Sequence, residues 1–400
     1  MTKVIAVIGT LDTKSEEFLF VKQEIEKRGH AALVVNVGIV NDPGFEPDVS
    51  ANQVAEAGGS SLAVLREKSD RGLAIETMSK GIKTIIADLH TADRIQAVIS
   101  MGGSAGTEIG TAAMRALPLG VPKVMVSTLA SGDTKPYVGT RDIVMVPCIV
   151  DVAGVNRLSA RAYASAVGAA IGMVETPAPD IVEKPLLAAS MFGNTTPVVN
   201  RCRSIMEKSE YEVLIFHQIG TPETLESLVA DGYISGILDI TTTEWADQIT
   251  GGVLAGGPNR YDIVSLKGIP QVVAPGCVDM ANFWARETVP QKYNSRRFCQ
   301  WASNVTLMRT NPEENAEIGR ILAEKANLSS GPVAFFLPLQ GVSMLDAPDK
   351  EFWWPEANQA LFDAIKDNLR SEIPVYELDC NVNDDEFADA LANKMLEYLK

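Results

Sequence analysis

Basic residues are scarce in this sequence. Its 35 Lys and Arg face 51 Asp and Glu, for a net charge of −16. Such a surplus repels phosphate backbones and anionic membranes, and no compensating basic patch gathers anywhere; Arg296-Arg297 is only a pair. Neither nucleic acid nor a membrane surface is therefore expected as a partner. Cysteine is also sparse: five residues, at 148, 202, 277, 299 and 380, with no Cys-x-x-Cys. That spacing suits neither a zinc knuckle nor a disulfide framework, and a reducing cytoplasm is the expected compartment. The opening VIAVIG is too short for the apolar region of a secretory leader. The apolar run IVMVPCIVDVAGV is broken by Pro147 and Asp151, and none reaches the ~20 residues of a membrane span.

What the chain does have is alternation. Val4–Ile8 is continuously apolar, as in a strand covered on both faces. Thr13 and Glu16 fit a capping box at the start of a helix whose apolar stripe runs Phe18, Leu19, Val21, Ile25. Gly29 ends it and AALVVNVG reads as the next strand. A long helix around Gly72–Leu89, strand Ile95–Ser100, helix Ala105–Leu117 and strand Val124–Ser127 continue the pattern. The proline-rich ETPAPDIVEKP reads as a linker, after which the pattern restarts with Leu186–Met191, a turn in which Thr196 caps and Pro197 begins a helix, Glu212–Phe216, a helix opened by Thr221-Pro222-Glu223, and Ile234–Ile240. LGVPKVMVS in the first half echoes KGIPQVVAP in the second, suggesting a structural repeat. The expected fold is α/β: two Rossmann-like subdomains, 1–178 and 186–400, each a mainly parallel sheet flanked by helices, joined by a linker at 179–185.

Ligands of such sheets collect beyond the carboxyl ends of the strands. Four polar turns fall there in the first half: GTLDTK, NVG, SMGGSAGTE and TLASGDT. None is a Walker loop. Glycines that admit close backbone approach, hydroxyls and helix-start amides together suit phosphate. The candidate residues are Thr10, Asp12, Thr13 and Lys14, then Gly102, Gly103, Ser104 and Thr107, then Ser131, Gly132 and Asp133. Lys14 would neutralise phosphate charge; Asp12 or Asp133 would serve a ribose or Mg²⁺. Plain caps and tight turns are the competing reading of each turn taken singly. Gly102 to Gly106 also fits Gly-x-Ser-x-Gly, but the one histidine downstream of Ser104 is His217, in the other half, so the phosphate cradle is preferred. His30 and His90 read as surface or capping residues.

In the second half, His217-Gln218 ends one strand and APGCVD, at 274–279, ends another. A cysteine where a helix opens has a lowered pKa, so a Cys277–His217 nucleophile pair is one candidate, set against a structural cysteine. Trp353-Trp354 could wall a pocket or pack an edge.

IGTLDTKSEE, SMGGSAGTE, PGCVDM, NVTLMRTNPEEN and LPLQGVSMLDAP, in that order, resemble the ATP-binding family that includes the N-terminal half of the tomato mosaic virus resistance protein. The resemblance spans nearly the whole chain. It departs before TLMRT, where the family pattern carries a His-Asn pair and this chain has Cys299–Asn304. It implies two Rossmann-like subdomains, a homodimer and ATP as ligand, with a TIM-barrel protein as partner. Two other readings stand beside nucleotide binding. One is an enzyme in which His217, Cys277, Asp279 and Arg309 face a small acidic or phosphorylated substrate, with Arg309 as anion anchor, a structural ion pair being its competing reading. The other is a nucleotide-gated binding module without chemistry.

Overall fold

Alternating apolar strands and capped helices fold into two units, Met1–Asp180 and Ile181–Lys400. The computed structural model describes residues 2–177, 179–217 and 222–400.

In the first unit the order along the chain is β1 (Val4–Gly9), α1 (Ser15–Lys27), β2 (Ala31–Asn36), α2 (Ala51–Ala57), α3 (Leu62–Lys68), α4 (Arg71–Thr91), β3 (Ala97–Gly102), α5 (Ser104–Arg115), β4 (Lys123–Ser127), α6 (Lys135–Val138), β5 (Val144–Pro147) and α7 (Ser159–Glu175). All pairings are parallel and the strands lie in the order β2-β1-β3-β4-β5. Strand residues alternate between two cores. Ile5 and Val7 pack with α1 and α7, through Phe18, Val21, Tyr163 and Val167. Ala6 and Ile8 pack with α2, α4 and α5, through Val54, Met78, Ile82 and Met114. This is a doubly wound sheet, and its direction reverses between β1 and β3.

The second unit repeats the plan: β6 (Leu186–Met191), α8 (Thr196–Lys208), β7 (Glu212–His217), α9 (Pro222–Ala230), β8 (Ile234–Thr241), α10 (Glu244–Thr250), α11 (Asp262–Lys267), β9 (Gln271–Gly276), β10 (Met280–Phe283), β11 (Phe298–Ala302), β12 (Val305–Arg309), α12 (Pro312–Asn327), β13 (Val333–Pro338), α13 (Pro355–Asn368), β14 (Val375–Leu378) and α14 (Asp385–Tyr398). The large sheet runs β14-β13-β9-β8-β6-β7, all parallel. Renumbered from β6, its first four strands have the same relative order as β1 to β4, which accords with the echo in sequence. One face packs α8 and α14 through Cys202, Met206, Phe387 and Leu391. β10, β12 and β11 form a separate antiparallel sheet.

Several local expectations are corrected. α1 starts at Ser15 without a side-chain cap, because Thr10–Lys14 closes as its own turn: the Thr13 and Lys14 amides donate to the Thr10 carbonyl at 3.2 and 3.0 Å. The Thr13 hydroxyl donates to that of Thr10 instead of capping. Thr195, not Thr196, precedes α8, with Pro197 second in the helix. His30 is buried, its Nδ1 accepting from the Lys3 amide and its Nε2 facing Glu175. Gln218 and Thr221 lie outside the described residues.

Candidate functional site

The carboxyl ends of β1 and β2 are tied by one side chain. Asn36 Oδ1 accepts from the amides of Leu11, at 3.1 Å, and Gly38, at 2.9 Å. The turn after β1 and the loop after β2 are thereby held side by side. Asp12 strengthens the tie: its Oδ2 accepts from the Val40 amide at 2.7 Å. Its Oδ1 is buried and has no hydrogen-bond partner. From the other side, Arg66 on α3 donates to the carbonyls of Ile39 and Asn41, at 2.7 and 2.9 Å.

Between these segments and the helices beneath lies a cavity of about 530 Å³, a volume typical of small-molecule sites. Leu65, Ala74, Ile75, Met78 and Ile109 make an apolar wall, and Ile39 and Val40 face it from the β2 loop. The polar lining comes from Thr10, Asp12 and Thr13 on one side and Arg66, Ser69, Asp70 and Arg71 on the other. Much of it is already engaged. Asp70 Oδ1 caps α4 through the Leu73 amide at 3.1 Å, and the Ser69 hydroxyl donates to the Arg66 carbonyl. One charged group is left: the exposed guanidinium of Arg71, without an ion pair or hydrogen bond among the described residues. Asp12 Oδ1 is sealed from solvent against Gly38. Arg71 is the first residue of α4, where a cation opposes the helix dipole.

Ala105 brings the start of α5 to the same cavity. The cap position, Gly103, offers no side-chain acceptor, so the first amides of α5 remain available to an anion. A Cβ on Gly103 would come no nearer than 3.8 Å to a neighbour, the Thr128 hydroxyl. Gly102 is different: a Cβ there would fall 2.7 Å from the Gly106 Cα, so these two glycines let strand and helix touch.

The structure thus gathers Thr10, Asp12 and Thr13 around the cavity, beside the turn holding Gly102, Gly103 and Ser104. It does not gather the rest. The Lys14 ammonium is turned onto the Val152 carbonyl and does not line the cavity, which removes it as the neutralising cation. Thr107 is wholly buried, its hydroxyl 2.7 Å from that of Ser127, and serves to pin α5 to β4. Ser131, Gly132 and Asp133 are exposed in the loop after β4, outside the cavity lining, with Asp133 accepting from the Lys135 amide. The cations that do line it, Arg66 and Arg71, were missed. The available signal was Asp70-Arg71, a cap followed by a cation at the unfavourable end of a helix.

A family profile described as "Uncharacterised protein family (UPF0261) N-terminal domain" matches residues 3–179, and its C-terminal counterpart matches residues 184–399. The chain belongs to the UPF0261 family. A UPF0261 protein of Clostridium tetani is 47% identical, with 100% of both chains covered. One from Rhizobium meliloti is 42% identical over 97% of each. The tomato ToMV resistance protein Tm-1(GCR237) is 36% identical over 98% of this chain and 55% of its own length. The ToMV susceptible protein tm-1(GCR26) matches at the same 36%, so this likeness does not speak to resistance. A UDP-N-acetylglucosamine 2-epimerase from Rickettsia bellii overlays 68% of this chain and 79% of its own at 13% identity, with a TM-score of 0.23, too slight to carry an argument.

In the second unit of this UPF0261 chain, the residues expected to carry chemistry are built into the interior. Arg309 is fully buried and donates to the Phe352 carbonyl at 2.7 Å, Asn358 Oδ1 at 2.9 Å and Asp346 Oδ1 at 3.3 Å. Its fork is spent on the protein, which corrects its reading as an anion anchor. Cys277 is also fully buried, at a left-handed φ of 61°, and burial beside Asp279 pushes its thiol well up rather than down. A raised, sealed thiol is no nucleophile. Asp279 accepts from the Ser343 hydroxyl at 2.8 Å and is wholly buried. His217 is half-buried, its ring tilted against Phe192 with centroids 5.6 Å apart, and burial lowers its pKa.

A second buried charge cluster sits beyond β8. Arg260 forks onto Asp239 at 2.9 and 2.8 Å and reaches Glu244 Oε1 at 3.0 Å. Burial raises the pKa of Glu244 to about 7 and that of Asp247 to about 7. Among the described residues, no group of three or more His, Cys, Asp or Glu is placed to hold a metal ion.

Proposed function

We propose that the first unit binds a nucleoside phosphate, ATP in the first instance, in the cavity beside the β1–β3 reversal. One observation carries the reading: the apolar-walled cavity is flanked by the unpaired guanidinium of Arg71 and by the start of α5, whose first amides no side chain caps. A complementary ligand brings an apolar ring for the wall and an anion for Arg71. The uncapped start of α5 adds amides for the same anion. Mg²⁺ would arrive on the phosphates rather than in a cage of protein carboxylates.

The test is calorimetry with ATP on the wild type and on Gly103→Val. A Cβ has room at that position, which is the cap of α5, and the added methyls are meant to crowd its first amides. Roughly tenfold weaker binding is expected, as for loss of one charge-assisted hydrogen bond. A wild type that binds no nucleotide overturns the reading.

A further inference from the structure

The charges that line the cavity bear on how much of a nucleotide it holds. Asp12 and Asp70 stand against Arg66 and Arg71, so the lining carries no net positive charge. Arg66 is committed to the β2 loop. Its Nε and Nη2 donate to the carbonyls of Ile39 and Asn41, and the Asp42 carboxylate lies 3.6 Å from Nη2. The Lys14 ammonium is held by the Val152 carbonyl. Among the described residues, Arg71 is thus the lining cation without an ion pair or hydrogen bond, and it is exposed, open to a ligand. The start of α5, which reaches the cavity at Ala105, adds amides that no side chain caps. One guanidinium fork and one turn of amides complement one phosphate group. Each further phosphoryl group adds negative charge for which the lining offers no further free cation, in a chain whose net charge is −16. The phosphate bonded to the nucleoside is also the one nearest the ring that the apolar wall would take.

We propose, resting on the nucleotide reading above, that the site reads the nucleoside and its first phosphate alone, with Arg71 as the residue that selects for that phosphate. The ligand class is the nucleoside 5′-monophosphate unit, common to AMP, ADP and ATP. The outer phosphates of ATP stay in solvent and add nothing to affinity. The consequence is a protein that does not tell a charged nucleotide from a spent one, so its occupancy follows total nucleotide rather than hydrolysis.

The experiment is calorimetric titration of the full chain with adenosine, AMP and ATP in magnesium-free buffer, repeated on Arg71→Gln. In the wild type, AMP is expected to bind about tenfold or more tighter than adenosine, the value of a hydrogen bond to a charged group. ATP is expected to bind no more than about threefold tighter than AMP. In Arg71→Gln the AMP-to-adenosine gap is expected to narrow by at least about threefold. ATP tighter than AMP by about tenfold overturns the single-phosphate reading while leaving nucleotide binding intact. Adenosine as tight as AMP overturns the selection for phosphate, and a gap undiminished in Arg71→Gln overturns the role of Arg71. Binding of none of the three overturns the parent reading and this one together. The wild-type comparison stands whether or not the variant folds.

Discussion

Gly38 and Asp12 occupy each other's space: a Cβ built on Gly38 would lie 2.2 Å from Asp12 Oδ1 and 2.4 Å from its Cγ. The carboxylate reaches its place only because residue 38 has no side chain. Gly38→Ala therefore displaces Asp12 and frees the Val40 amide. The expected cost in stability is about 1–3 kcal/mol, that of overpacking. ATP affinity is expected to fall as the β2 loop beside the cavity loosens, read by calorimetry beside a urea melt.

Arg71→Ala separates binding from folding. The side chain is exposed and makes no ion pair or hydrogen bond among the described residues, so stability is expected to change by no more than about 0.5 kcal/mol. ATP affinity is expected to fall about tenfold. Unchanged affinity would mean that the cavity does not use this cation.

Glu244 and Asp247 make the stability of the second unit pH-dependent. Burial raises both to about 7, above the ordinary carboxylate range. A carboxyl whose folded pKa exceeds its unfolded one favours folding most below the unfolded value. That contribution is lost as pH rises through about 7. The urea midpoint is therefore expected to fall between pH 5 and pH 8. Glu244→Gln keeps an acceptor for Arg260 Nε and has nothing to ionise, so its midpoint is expected to fall less over the same interval.

Arg309→Met tests the interior assignment. It leaves Asp346 buried without its cation and strips donors from the Phe352 carbonyl and Asn358. A loss of about 3–5 kcal/mol is expected in equilibrium unfolding, as for a broken buried ion pair. ATP affinity of the folded fraction is expected to stay at the wild-type value. A stable variant with altered ligand binding would restore Arg309 to a ligand-facing role.

The doubly wound framework was legible because Val4–Ile8, Val124–Val126 and Leu186–Ala189 are continuous apolar runs followed by polar turns, and such runs depend little on distant partners. The antiparallel sheet of β10, β11 and β12 was not, since strands of four and five residues are too short to show a period. The turn at Thr10–Thr13 could be placed because it follows a clear strand. Arg66 and Arg71 could not, because only the packing of α3 and α4 beneath the β2 loop brings them to that turn. Burial decides between the open readings of Cys277 and Arg309, reactive or structural cysteine, anion anchor or ion pair: their positions beside strand ends were readable, but their complete burial is a property of the folded chain.

The modest length of β5 has a further effect. Val144–Pro147 forms the outermost rank of the first sheet and stops at a residue with no amide hydrogen. A strand from another molecule would find few donors along that rim and nothing to continue the ladder. The brevity of β5 therefore makes this rim of the first sheet a poor template for an added strand.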